Sequence, residues 1–126
     1  MQMLELVDRR FPALLSGRKT STIRWNEGVI KPGFLLYVSC SGKERAIVWV
    51  NEVNRIPLRD IGKKIGYDAH HKDENHTLEL MRLHYPAITL DTEIDLIEHL
   101  SVADTRKRYP REVAEILLKH RFPSAP

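Results

Sequence analysis

Sulfur, glycine and long apolar runs are all scarce in this sequence, and each scarcity excludes something. Cys40 is the single cysteine, so no internal disulfide can brace the fold. Its place in an apolar, strand-like run predicts a small core residue rather than a nucleophile. No apolar stretch approaches the roughly 20 residues of a membrane-spanning helix. The first residues, Met1-Gln2-Met3-Leu4-Glu5, lack the basic-then-apolar order of a signal peptide, so the expected compartment is the cytoplasm. No internal repeat or low-complexity tract appears. Charge of one sign is also limited: 20 basic against 17 acidic residues leave a net charge of +3. That excess permits an anionic partner without the strong bias of a DNA-coating protein.

A chain of 126 residues is the size of one domain and can bury a core without metal or disulfide support. Met3 to Val7 alternates weakly and predicts a strand. Phe11, Leu14 and Leu15 form one helical face, with Pro12 suited to the first turn and Gly17 to the end. Lys19 to Trp25 is rich in β-branched residues and predicts a strand. Phe34 to Cys40 and Arg45 to Val53 predict two more, joined by a tight turn at Ser41-Gly42-Lys43. Short connections among these three strands predict an antiparallel meander. Pro57 to Ile65 predicts a broken helix. Leu78 to Tyr85 predicts a helix capped by Thr77 and stopped by Pro86. Thr92 to Leu100 predicts a closing strand, and Tyr109-Pro110 opens a last helix. Arg106-Lys107-Arg108 reads as a solvated turn, with RNA phosphate as the alternative partner.

The chemistry-bearing stretch is Ser16-Gly17-Arg18-Lys19-Thr20-Ser21-Thr22-Ile23-Arg24. Side chains alternate along a strand, so Thr20, Thr22 and Arg24 share one face, with Ile23 and Trp25 on the core side. Lys19 is three residues from Thr22 and falls on the wrong face unless it lies in the turn before the strand, which Gly17 favours, or a bulge intervenes. Placed in that turn, its amine is expected within hydrogen-bond reach of the Thr22 hydroxyl, directly or through one water. The lysine must also be neutral part of the time, which burial or nearby cations such as Arg18 and Arg24 would achieve. Arg24 suits an anion, a base carbonyl or a restrained carboxylate. Trp25 suits either the core or a stacked base. His70, His71 and His76 match no common zinc spacing, so no metal and no other cofactor is expected.

These residues carry a family resemblance. The run Leu15 to Arg24, followed by Lys31-Pro32-Gly33 and an apolar strand, resembles the ASCH domain. Within that group it is most similar to the small bacterial N4-acetylcytidine amidohydrolases. Those also carry a His and a Glu-Asn-x-Thr-Leu segment entering a helix that ends in Tyr-Pro. Here that segment is His70 to Leu78, and the helix ends at Tyr85-Pro86. Two features depart from the pattern: Phe34 replaces an acidic residue, and residues 110 to 121 add a C-terminal helix.

The resemblance implies an α+β fold, a small PUA-like β-barrel with short helices between its strands and that helix added, in one domain over residues 1 to 126. It implies hydrolysis of a linear amide C–N bond in an acylated cytosine nucleoside. Lys19 would be the catalytic lysine, Thr22 the hydroxyl nucleophile and Glu74 the acidic proton-transfer residue. Arg18, Arg24, Thr20, Trp25 and His70 are the expected substrate contacts. The competing expectation is a non-catalytic module binding single-stranded RNA, with ribonuclease activity a third reading.

Overall fold

The computed structural model describes residues 1–68 and 71–120. His70 and the tail beyond His120 lie outside the described residues. Five strands form one curled sheet: β1 (Met3–Leu6), β2 (Ser21–Arg24), β3 (Gly33–Ser39), β4 (Arg45–Pro57) and β5 (Glu93–His99), in the order β1-β3-β4-β5-β2. β1 runs parallel to β3, and the other pairs are antiparallel. The expected meander is therefore corrected. β3 and β4 make the hairpin, but β2 pairs with β5, at the far edge from β1. The seven apolar-rich residues of β3 are buried on both faces and need a partner on each side, so an early strand and a later one flank it.

The helices are short: α1 (Phe11–Leu15), α2 (Ile61–Ile65), α3 (Glu74–Arg82), α4 (Val102–Arg108) and α5 (Pro110–Lys119). The cap of α3 is Asp73, whose carboxylate accepts from the His76 N–H at 2.8 Å. Thr77 is instead buried inside the helix, its hydroxyl donating to the Asp73 carbonyl at 3.0 Å. Arg106, Lys107 and Arg108 form the last turn of α4, where cations favour the helix dipole, rather than an irregular turn.

Register sorts the side chains into two faces. Leu35, Tyr37, Ala46, Val48, Val50 and Ile97 fill the inner face with Phe11 and Leu14 of α1. On the outer face, Leu36 and Ile47 pack under Val113 of α5. The added C-terminal helix thus covers the middle of the sheet, not an edge. Phe34, the departure from the family pattern, joins Trp49 and Tyr109 there in an aromatic cluster with centroids 4.6 to 5.2 Å apart. Further along the outer face, Leu58, Ile61, Met81, Ile94 and Leu96 seat α2 and α3. A register shift between Val50 and Glu52 lets β4 serve both parts of the sheet. No described helix is long and apolar enough to cross a membrane.

Candidate functional site

The two sheet edges, β1 and β2, line one cavity across a seam that no described strand closes. A cavity of about 370 Å³ occupies it, lined by Glu5 to Val7, Arg10, Lys19, Ser21 to Arg24, Glu27 and the end of α3 through Tyr85. The local sequence explains how Lys19 reaches this place. α1 is capped by Ser16 and followed by Gly17, whose φ of +84° suits a residue without a side chain. The Lys19 N–H then donates to the Ala13 carbonyl at 3.0 Å. That bond holds Lys19 in the turn before β2, one of the two placements the spacing argument allows.

Lys19 is partly buried, and its Nζ donates to the Ser21 carbonyl at 2.6 Å. Burial, then the charges of Arg10 and Arg24, lower its pKa to about 7. Near neutrality part of the population is therefore the free amine. Arg10 acts here in place of the expected Arg18. It comes from the Asp8–Arg10 turn ahead of α1, whose cations no local motif tied to Lys19. Asp68 is the strongest charge acting on Arg10 and opposes Arg18 and Arg9, so three arginines against one carboxylate leave the rim beside the lysine cationic on balance.

Thr22 is buried, with only 5% of its surface exposed. Its hydroxyl accepts from Arg24 Nε at 2.9 Å, as their shared face predicts. No direct Lys19–Thr22 hydrogen bond forms among the described residues: the amine takes the Ser21 carbonyl instead. Behind Thr22 lies a buried pair. Tyr37 Oη and His99 Nε2 are 2.9 Å apart, and His99 Nδ1 is 2.8 Å from the Leu100 carbonyl. A carbonyl only accepts, so the proton is on Nδ1, and Nε2 accepts from Tyr37. Burial lowers His99 to about 4, keeping the ring neutral. Burial also pushes the Tyr37 phenol up, opposed by the Arg24 charge and by a hydrogen bond from Thr22. Arg24, Thr22, Tyr37 and His99 thus form one connected polar row from the cleft into the core.

Two carboxylates line the cleft, Glu5 and Glu27, and Glu27 is the one set beside Arg24. It forms an ion pair with Arg24 at 3.3 Å and accepts a hydrogen bond from Tyr85. Burial, then this carboxylate, pushes the Tyr85 phenol up to about 12. Glu74 stands at the first residue of α3, outside the cavity lining. Glu27 follows Asn26, which has a φ of +57°, and precedes Gly28, so an irregular loop delivers it. A turn-type Asn-x-Gly just past the arginine was the signal available in the sequence.

The remaining expected contacts are placed as follows. Arg18 is exposed and its Nε donates to Ser16 Oγ at 3.2 Å. Thr20 is exposed, with its carbonyl bonded to the His99 N–H. Trp25 packs edge-on against Tyr85 in the outer core. Cys40 corrects its expectation: it is exposed and lines the cleft at the end of β3. No cluster of three metal-ligating side chains occurs among the described residues.

Similar architecture is found in two solved structures. One is ZmASCH from Zymomonas mobilis, determined as a tyrosine-to-phenylalanine mutant. Its TM-score is 0.58 at 13% identity, over 94% of this chain and 96% of that one. The chain has the ASCH fold. Protein EF3133 of family DUF984, from Enterococcus faecalis V583, is also similar. Its TM-score is 0.55 at 15% identity, over 81% of this chain and 82% of that one. No family model matches the sequence, and neither does any curated protein. In ASCH terms, the curled sheet is the incomplete PUA-like barrel, and the cleft is the gap in its wall.

Proposed function

We propose that the seam cleft hydrolyses the amide of an N4-acylated cytosine nucleoside, N4-acetylcytidine being the reference substrate. The observation that carries this reading is a lysine brought to a pKa of about 7 in the same cleft as a buried threonine hydroxyl. A hydroxyl attacks an amide only when a base removes its proton. Two bases are near. His99, at about 4, is the weaker by roughly three powers of ten, and both its nitrogens are engaged. Lys19 is therefore the base.

The steps balance without a cofactor. The Thr22 O–H turns from Tyr37 toward Lys19, and its Oγ bonds to the acyl carbon as the proton passes to that amine, directly or through one water. The carbonyl oxygen gains the electron pair, and the Arg24 guanidinium offsets that charge. The C–N bond then breaks, and the proton held by Lys19 goes to the departing N4, releasing cytidine. Water attacks the acyl-threonine ester, its proton passes to Lys19, and acetate leaves as Thr22 recovers its proton. Glu27 holds Arg24 in place in this scheme. Glu74, the acid implied by the family resemblance, remains the alternative proton donor.

The test is the ultraviolet change on deacetylation of N4-acetylcytidine by the purified chain. Turnover is expected in the wild type and is expected to vanish in Thr22→Ala. Absence of wild-type turnover would leave the second reading, which the cationic rim of Arg9, Arg10 and Arg18 favours: a module holding single-stranded RNA. Such a module would bind short strands with an affinity falling steeply with salt, each phosphate-contacting arginine adding about one unit to the slope.

A further inference from the structure

Ladder geometry decides which main-chain groups of the two sheet edges are already paired. The His99 N–H donates to the Thr20 carbonyl at 2.9 Å. Antiparallel bonding alternates, and Thr22 lies opposite Ile97. The N–H and C=O of Thr20, Thr22 and Arg24 therefore turn toward β5. Those of Ser21 and Ile23 turn away, to the open edge of β2. Across the seam, the Gln2 and Leu6 carbonyls accept from Leu36 and Cys40. The same alternation then sends the N–H and C=O of Glu5 to the open edge of β1. Glu5, Ser21 and Ile23 all line the cleft.

One of these open groups is occupied: the Ser21 carbonyl holds the Lys19 amine. No described contact takes the N–H and C=O of Ile23, nor those of Glu5. A partly enclosed site with paired, unused main-chain groups on both walls is built to meet a ligand's own donors and acceptors. We infer that the open edge of β2 reads the ligand's ring through the main chain, the Ile23 N–H and C=O holding the adjacent acceptor and donor of a nucleobase edge while Glu5 offers a second pair opposite. For cytosine those groups are N3 and the N4–H, and N4 keeps one hydrogen when acylated.

A single nucleobase fits better than an added peptide strand. The open edges are only four residues long, and Lys19 interrupts the run of acceptors a strand would need. The cavity, about 370 Å³, lies at the small-ligand end of binding-site sizes. Held there, the ring lies beside the strand that carries Thr22. The inference deepens the hydrolase reading and rests on it for the choice of cytosine.

The experiment titrates the uniformly 15N-labelled chain with cytidine and follows the backbone amides. The Ile23 amide is expected to move with saturation, together with Glu5. N3-methylcytidine and N4,N4-dimethylcytidine, each lacking one partner, are expected to bind about tenfold or more weakly. Binding that leaves Ile23 unmoved, methylated analogues as tight as cytidine, or no saturable shift at all would overturn the inference. Turnover of N4-acetylcytidine is scored apart. Turnover with a silent Ile23 sinks the edge inference alone, whereas an Ile23 response without turnover sinks the hydrolase reading alone.

Discussion

Two ionisable groups, one at the rim of the seam and one in the core behind it, are both held away from their charged forms by burial, yet they differ in how fully they are satisfied. His99 has both ring nitrogens bonded, to Tyr37 and to the Leu100 carbonyl. Lys19 as a neutral amine donates to Ser21 and keeps a lone pair for a proton. A satisfied buried group stabilises the fold, and an incompletely satisfied one is available for chemistry. Under the proposed function, the difference gives His99 a structural part and Lys19 the chemistry.

The largest test breaks the Lys19 side. Lys19→Met should lower kcat/KM by on the order of 10³-fold. Its thermal midpoint should stay level or rise, since the buried amine costs stability and methionine does not. A midpoint that falls along with activity would make the lysine structural. In the wild type, kcat/KM should climb about tenfold per pH unit below about 7 and flatten above it, because only the neutral amine accepts a proton. A flat profile between pH 5 and 9 would remove Lys19 from the chemistry.

The His99 side should respond to acid in stability. Its folded pKa of about 4 lies below the ordinary value of 6.5, so its contribution is complete above that ordinary value. As pH falls from there toward 4, the unfolded state takes up the proton first and stability drops by up to about 3 kcal/mol. Urea unfolding at pH 7 and pH 4 measures the drop. In His99→Gln this part of the pH dependence should disappear. Tyr37→Phe should cost about 1–3 kcal/mol by leaving His99 Nε2 without its donor, and lower kcat by less than Lys19→Met does. A stability unchanged by that substitution would show that the Tyr37–His99 bond holds nothing. The smallest contrast separates the two carboxylates. Glu27→Gln should lower kcat about tenfold by freeing Arg24, with Glu74→Gln within about twofold. The reverse ranking would return the acid role to Glu74.

Much of the fold was legible because its signals are local. Short apolar runs over Phe34 to Cys40 and Arg45 to Val53, separated by a Gly turn, mark two strands, and Pro12 with Gly17 brackets α1. Counting residues from Lys19 to Thr22 left a turn or a bulge, and the Lys19 N–H bond to the Ala13 carbonyl is what shows the turn. What escaped was pairing at a distance. The partner of β2 is β5, about seventy residues later, and no spacing rule selects it over β3. Arg10 reaches Lys19 only because α1 folds back on the sheet, and Glu27 enters the cleft through an irregular loop. Cys40 looked like core because its strand is apolar, but the strand ends there and the residue faces the seam.

The sequence by itself determined the strands, the need for a turn or bulge to lift Lys19 out of register, and the shared face of Thr22 and Arg24, since each depends on backbone geometry over a few residues. Only the tertiary structure decided that β1 and β2 become facing open edges, that Arg10 joins Arg24 in depressing the lysine's pKa, and that Glu27 rather than Glu74 enters the cleft. Those outcomes depend on burial and on charges brought close through space, and neither is a property of any short stretch of chain.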